Sequence, residues 1–201
     1  ILGSATGLII LSPIMILVAI LIKITMPGPV FFIQERVGKN KQVFRILKFR
    51  TMEVDKDAEK ELDFSKDTQR LTFFGKVLRR LKIDETPQLV NVLAGDMSMV
   101  GPRPTVMQQV EKYTEYEMQR LNMRPGMTGL AQINGNIALT WNQRIEYDIE
   151  YIQNFSIGLD FLILLKTVLI VLFGEERYKK DSIVGKNELH DTVKDEEITS
   201  Y

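Results

Sequence analysis

The apolar residues of this chain are gathered rather than spread. From Ile1 to Ile22 no residue is charged, and Lys23 is the first that is. An uncharged run of about 20 residues is long enough to cross the hydrocarbon core of a bilayer as a helix. No basic stretch precedes the run and no small-residue cleavage pattern follows it, which argues against a cleaved signal peptide. The bland alternative is a helix buried in a protein core. Ser12-Pro13 falls in the middle of the run. Proline removes a backbone N–H and crowds the preceding turn, which predicts a kink or a break there. A carbonyl freed by the proline needs a partner, and the Ser12 hydroxyl is a candidate. Two topologies follow: a kinked span, or a segment that enters, turns and leaves on the same side. The stretch from Lys23 to Pro29 closes the segment with a charge followed by Pro27, Gly28 and Pro29.

Beyond it the pattern changes period. Val30–Val37 and Val43–Arg50 are rich in Phe, Val and Ile and flank Gly38-Lys39-Asn40, which predicts a β-hairpin. Glu53 to Gln69 is dense in charge and reads as a solvated loop or a frayed helix. Phe74, Val77, Leu78 and Leu81 recur at helical spacing over Phe73–Leu81. A short helix is predicted over Pro87–Leu93, with Gly95 as its stop. A helical stretch is expected over Thr105–Asn122, a glycine-punctuated loop over Arg124–Asn136, and a helix over Gln143–Phe155. A second apolar stretch, Ile157 to Phe173, carries Asp160 and Lys166 and reads as an amphipathic helix, either at a membrane interface or against the domain. From Gly174 onward the chain is charged, poor in apolar residues and expected to be flexible. The fold class expected is α/β, mostly helical with a small β-hairpin or sheet. The organisation expected is a membrane segment over residues 1–24, a catalytic domain over 25–173 and a tail over 174–201.

Composition narrows the chemistry. The 201 residues carry 26 basic and 26 acidic side chains, so no strong basic field exists to hold duplex nucleic acid. The absence of cysteine removes disulfides, thiolate metal sites and thiol nucleophiles. The single histidine, His190, lies in the polar tail, so a mechanism with two imidazoles is excluded. The chain begins at Ile1 rather than Met, which reads as a piece of a longer protein.

The candidate chemistry lies on short polar segments. In Asp84-Glu85-Thr86-Pro87, Thr86 suits an N-cap and Pro87 a first helical position. The carboxylates would then sit at the positive end of a helix, which predicts an ionised Asp84 available as a nucleophile or Mg²⁺ ligand. Acidic residues also occur at helix starts for stability alone. Arg79 and Arg80 end the helix upstream. Arg103 is held between Pro102 and Pro104, and Arg124 stands beside Pro125-Gly126, both as pre-placed cations suited to phosphate; a solvated arginine on a rigid turn is the plainer reading. Lys48 and Arg50 add positive charge. A carboxylate pair among cations on rigid loops suits phosphoryl transfer, where positioning and charge neutralisation carry most of the catalysis. Trp141 and the tyrosines read as packing or interface anchors.

Four segments occur together in the order and spacing of a known family: Lys48-Phe49-Arg50-Thr51-Met52, Asp84-Glu85, Gly95 through Pro104, and Arg124-Pro125-Gly126-Met127-Thr128-Gly129. The chain resembles the bacterial sugar transferases, the monotopic phosphoglycosyl transferases, from the Ser12-Pro13 break to about Phe173. The resemblance implies transfer of a sugar phosphate from a UDP-sugar to a polyprenol phosphate, usually undecaprenyl phosphate, with release of UMP. It implies Asp84 as the nucleophile that forms a covalent phospho-sugar intermediate, with Mg²⁺ close to it. Glu85 would position the metal or help deprotonate the acceptor. Arg79, Arg103 and Arg124 match phosphate-binding positions, with Lys48 behind them. It further implies a re-entrant helix-break-helix, amphipathic interface helices, and a catalytic domain facing the cytoplasm at the bacterial inner membrane. A homo-oligomer is compatible with it. Leu130 departs from the tryptophan that many relatives carry after Thr-Gly, and larger members carry further N-terminal membrane helices.

Two other readings compete. One is a non-catalytic membrane-anchored module that binds nucleotide sugar or lipid phosphate; the intact Asp84-Glu85 pair argues against it. The other is a metal-dependent glycosyltransferase using Asp55 and Asp57, which have D-x-D spacing but stand in a charged loop without a nucleotide fingerprint.

Overall fold

A computed structural model describes residues 2–54 and 70–174. Asp55, Asp57, His190 and the tail beyond Gly174 lie outside the described residues. Helix α1 runs over Leu2–Thr25. It stays helical through Pro13, so the proline does not divide the segment into two helices. The Ile9 carbonyl, whose amide donor Pro13 lacks, accepts instead from the Ser12 hydroxyl at 2.8 Å. Only 11% of the helix's most apolar window is buried, so α1 is not a core helix. One face, including Ser4, Val18 and Ile22, is buried; Ile9, Ile10, Ile14, Leu17 and Ile20 are exposed. Val18 and Ile22 pack with Met26, Phe49 and Leu78.

Strands β1 (Phe31–Val37) and β2 (Val43–Phe49) form the expected antiparallel hairpin, with Arg36 opposite Phe44, Gln34 opposite Ile46 and Phe32 opposite Lys48. Side chains alternate across a strand, so Gln34, Arg36, Ile46 and Lys48 share a face. Helix α2 spans Phe73–Arg80, capped by the Thr72 hydroxyl, which accepts from the Gly75 amide. Helix α3 spans Gln88–Ala94 and ends at Gly95 in the left-handed conformation (φ 89°), as the sequence predicts.

The outer backbone edge of β2 is closed by a side chain. Asn91 of α3 accepts from the Leu47 amide at 3.1 Å and donates to the Arg45 carbonyl at 2.8 Å. That two-point attachment fixes α3, and the turn before it, against the hairpin.

Strand β3 (Ser98–Val100) is followed by the single-turn helices α4 (Met107–Val110) and α5 (Glu115–Met118) and a 3₁₀ turn over Gln119–Asn122. The helical stretch expected over Thr105–Asn122 is thus interrupted, because Thr114 starts a new helix with a capping box to Glu117. Val110 and Leu121 nevertheless share one buried cluster with Val37.

The loop expected over Arg124–Asn136 contains strand β4 (Gly126–Thr128), parallel to β3, and helix α6 (Leu130–Ile133). Glycine permits the close pairing: a Cβ on Gly126 would fall 2.1 Å from the Gly101 amide nitrogen. Three residues are too few to show the strand's periodicity.

Helix α7 (Trp141–Gln153) begins at a Thr140–Gln143 capping box, and α8 spans Ile157–Phe173. Of the two charges in α8, Asp160 is turned inward. Asp160 accepts from the Tyr151 hydroxyl at 2.7 Å, so Phe161, Leu165, Val168 and Leu172 leave an apolar outer face. The helix is therefore apolar on both faces rather than amphipathic. The architecture is mostly helical with two small two-stranded sheets among the described residues.

Candidate active site

Asp84 and Glu85 stand on a 3₁₀ turn, Ile83–Glu85, between α2 and α3. Lys82 enters it in the left-handed region (φ 56°), reversing the chain after α2. Thr86 is not the N-cap expected of it. It lies in right-handed helical geometry and its hydroxyl donates to the Ile83 carbonyl at 2.8 Å. The carboxylates are thus held by a turn packed between α2 and β2, and burial rather than a helix terminus sets their chemistry.

The two neighbours differ. Asp84 is 8% exposed, and its Oδ1 is buried with no hydrogen-bond partner among the described residues. Burial, reinforced by the adjacent Glu85 charge, pushes its carboxyl up to about 6, against the pull of Lys48, Arg79 and Lys82. This corrects the expectation that a helix terminus would favour its ionisation, although a group titrating near 6 is still mostly ionised at neutral pH. Burial also opposes Glu85's charge, but Lys48 and Arg103 outweigh it and hold the carboxyl down at about 2. Lys48 Nζ donates to Glu85 Oε1 at 2.8 Å, and Arg103 reaches the same oxygen at 3.5 Å. Desolvation lowers the Lys48 ammonium and Glu85 partly restores it.

Arg79, on the last turn of α2, donates through Nε to the Thr51 hydroxyl at 3.0 Å. Helix α2 fits there because residue 75 is glycine: a Cβ would fall 1.9 Å from the Thr51 carbonyl oxygen. Arg124 is exposed and forms no side-chain hydrogen bond or ion pair with a described residue. The amide of Gly126 donates to the Pro102 carbonyl at 2.9 Å and so does not face an anion. Arg50 is turned away from the site: it donates to the Met26 and Pro27 carbonyls and ties the end of α1 to the hairpin.

Sequence reasoning missed Arg120 and Asp148. Arg120 Nη2 lies 2.6 Å from Asp148 Oδ2, with both side chains buried, and the same nitrogen donates to the Arg103 carbonyl at 3.2 Å. The guanidinium is flanked by the Tyr113 and Trp141 rings at 5.7 and 5.4 Å, which gives Trp141 the packing role expected of it. Arg120 thereby fixes the backbone that carries Arg103. Neither residue stands in a segment with a local signal; their pairing appears only once α7 folds over Gln119–Asn122.

Among the described residues no group of three acidic or imidazole side chains could hold a metal by itself. A buried carboxylate oxygen without a partner, at Asp84, fits a Mg²⁺ ion that takes its remaining ligands from water and a diphosphate.

The assembly has the equipment of an anion-handling site: a low-lying carboxylate locked by two cations, and a raised one left open. The family model that matches residues 1–174 is described as bacterial sugar transferase, and the chain belongs to that family. It is 43% identical to the UDP-N-acetylgalactosamine-undecaprenyl-phosphate N-acetylgalactosaminephosphotransferase of Aeromonas hydrophila, over 87% of this chain and 43% of that protein. It is 43% identical to the uncharacterized sugar transferase EpsL of Bacillus subtilis over 87% of this chain and 86% of that protein. It is 37% identical to the exopolysaccharide production protein ExoY of Rhizobium meliloti over 89% of this chain and 85% of that protein. The chain thus spans less than half of the Aeromonas protein and most of the other two.

Proposed function

We propose that this chain moves a sugar phosphate from a UDP-sugar to undecaprenyl phosphate, releasing UMP, through a covalent intermediate on Asp84. The single observation that carries the reading is the contrast at the site: Asp84 keeps a buried carboxylate oxygen free, while Glu85 is locked to Lys48. An Asp84 oxygen attacks the sugar-bearing phosphorus. The bond from that phosphorus to the bridging oxygen breaks, and UMP leaves with the electron pair. An oxygen of the lipid phosphate then attacks the same phosphorus, giving a lipid diphosphate-sugar and freeing Asp84. Arg79 and Arg103 neutralise phosphate charge during transfer. Glu85, ionised down to about 2, is a poor base at neutral pH and acts by positioning Lys48 and Arg103. Asp84 would hold Mg²⁺ together with the donor diphosphate, and the ion would supply further charge neutralisation.

The acceptor explains the apolar exterior. A water-soluble donor and a phosphate on a long apolar chain meet only at a membrane surface. Helix α1 is exposed and apolar, which fits membrane association. A methyl group at Gly7 would sit 3.4 Å from Leu89 in α3, and Ile22 is wholly buried near the other end, so both ends of α1 touch the domain. That contact supports a segment that returns to the leaflet it entered rather than one that carries its first residues away from the domain, with the domain on the cytoplasmic face of the bacterial inner membrane and the exposed apolar face of α8 at the interface.

The test is UMP release from UDP-sugars by the protein in lipid nanodiscs with undecaprenyl phosphate. Asp84→Asn is expected to lower turnover by about 10³-fold or more, the scale of a lost nucleophile. Chelation of Mg²⁺ is expected to abolish release, and its restoration to recover it. Undiminished release by Asp84→Asn contradicts the reading.

A further inference from the structure

The described charge pairs leave one part of the site unexplained. Beyond Glu85 a small cleft open to solvent is lined by Arg36, Lys48, Glu85, Gln88 and Arg103 among others. Its single carboxylate is already committed to Lys48 and Arg103. Two side chains on its wall keep donors with no hydrogen-bond partner among the described residues. Gln88 is 2% exposed, and its Nε2 is buried without a hydrogen-bond partner. Arg36 is oriented by Gln34, whose Oε1 accepts from Nη2, yet its Nε is buried and unpartnered. Burial and the nearby Arg103 charge lower the Arg36 guanidinium to about 10, so two like charges are held together there with no second anion between them.

A buried donor left without an acceptor keeps its full desolvation penalty, which is larger for a charged group. Two at one cleft, one of them on Arg36 itself and both near Arg103, describe a place built for a ligand that brings only acceptors and negative charge. An aromatic or neutral amide ligand would leave the arginines' repulsion in place, whereas a phosphate relieves it and takes the fork of a guanidinium in two bonds.

We propose that Arg36 and Gln88, with Arg103, form a second phosphate subsite that receives a phosphate monoester on the side of Glu85 away from Arg79. The inference rests on the reading under Proposed function and divides the reaction's phosphates between two places. The sugar-bearing phosphate belongs at Asp84; the monoester belongs at Arg36 and Gln88. Two reaction components carry such a monoester, the UMP that departs and the lipid phosphate that arrives, and the experiment separates them.

Binding of UMP and of a short-chain polyprenyl phosphate is measured by calorimetry on the whole chain in nanodiscs, for wild type, Arg36→Met, Arg36→Lys and Gln88→Met. Arg36→Met is expected to weaken one of the two ligands about tenfold or more, the size of a lost charge-assisted pair, with Arg36→Lys between it and wild type. Gln88→Met is expected to weaken the same ligand about threefold or more while leaving the melting temperature unchanged or raised, because it removes an unpaired buried amide. Weakening of UMP assigns the subsite to the leaving nucleotide; weakening of the polyprenyl phosphate assigns it to the acceptor; both support it. Unchanged affinity for both ligands in Gln88→Met and in either Arg36 variant overturns the proposal. A lowered melting temperature in Gln88→Met with unchanged affinities also overturns it, since Gln88 is then a packing residue. If wild type binds neither ligand and releases no UMP from UDP-sugars, it is the Proposed function that fails.

Discussion

The two faces of the Ile83–Glu85 turn have been built to opposite ends. Toward the hairpin, Glu85 meets Lys48 at 2.8 Å and Arg103 at 3.5 Å, and its carboxyl is held at about 2. Toward α2, Asp84 has no such partner at Oδ1 and rises to about 6. Adjacent residues of the same chemistry thus divide into a carboxylate held by two cations and one whose buried oxygen has no partner among the described residues. Desolvation acts on both; what separates them is whether a cation is close enough to repay it. The lesson is that a carboxylate pair in a sequence does not imply paired roles.

The largest effect expected falls on the support of the anchored face. Asp148→Ala leaves Arg120 buried without its counter-charge, and urea denaturation is expected to show a loss of about 3–5 kcal/mol. A loss below about 1 kcal/mol, the value of an exposed pair, would mean that the Arg103 loop does not depend on Arg120. Next comes the anchor itself. Lys48→Met removes the cation nearest Glu85 and is expected to cut turnover about 100-fold, with Arg103→Ala costing about tenfold and Arg124→Ala less than twofold. Arg124→Ala matching Arg103→Ala would break the distinction between a cation paired with Glu85 and one without a partner among the described residues.

The pH profile sharpens the comparison further. Asp84 must be ionised to attack, and its carboxyl is protonated below about 6, so turnover should fall about tenfold per pH unit below that value and level off above it. Glu85→Gln removes the neighbouring charge that raises Asp84, so the acid limb should move to lower pH, at a reduced plateau. A limb that stays in place would show that burial alone sets the Asp84 value.

Much of this arrangement was legible in the chain. The hairpin, α2, α3 with its Gly95 stop, α7 and α8 follow from period and caps, and Ser12 does take the carbonyl that Pro13 strands. The short parallel pairing of β3 with β4 was not legible, because three-residue strands carry no period and their partner lies across 25 intervening residues. Nor could Lys48 and Arg50, two residues apart at the end of the predicted strand, be told apart. In the structure Lys48 serves the site and Arg50 the α1 carbonyls. Arg120 and Asp148 are individually ordinary charged residues of short helical segments, and their importance comes from burial that only tertiary contact supplies. Asp84's raised carboxyl was hidden for the same reason: sequence places it near a helix start, and the fold buries it instead.

The most direct test of the central claim is the mass of the intact protein after exposure to UDP-sugar and Mg²⁺ without any lipid acceptor. A covalent mechanism predicts an added sugar phosphate that fragmentation places on Asp84 and that undecaprenyl phosphate then discharges. Full turnover in the complete reaction, with no added mass on that residue when donor is supplied alone, would contradict it.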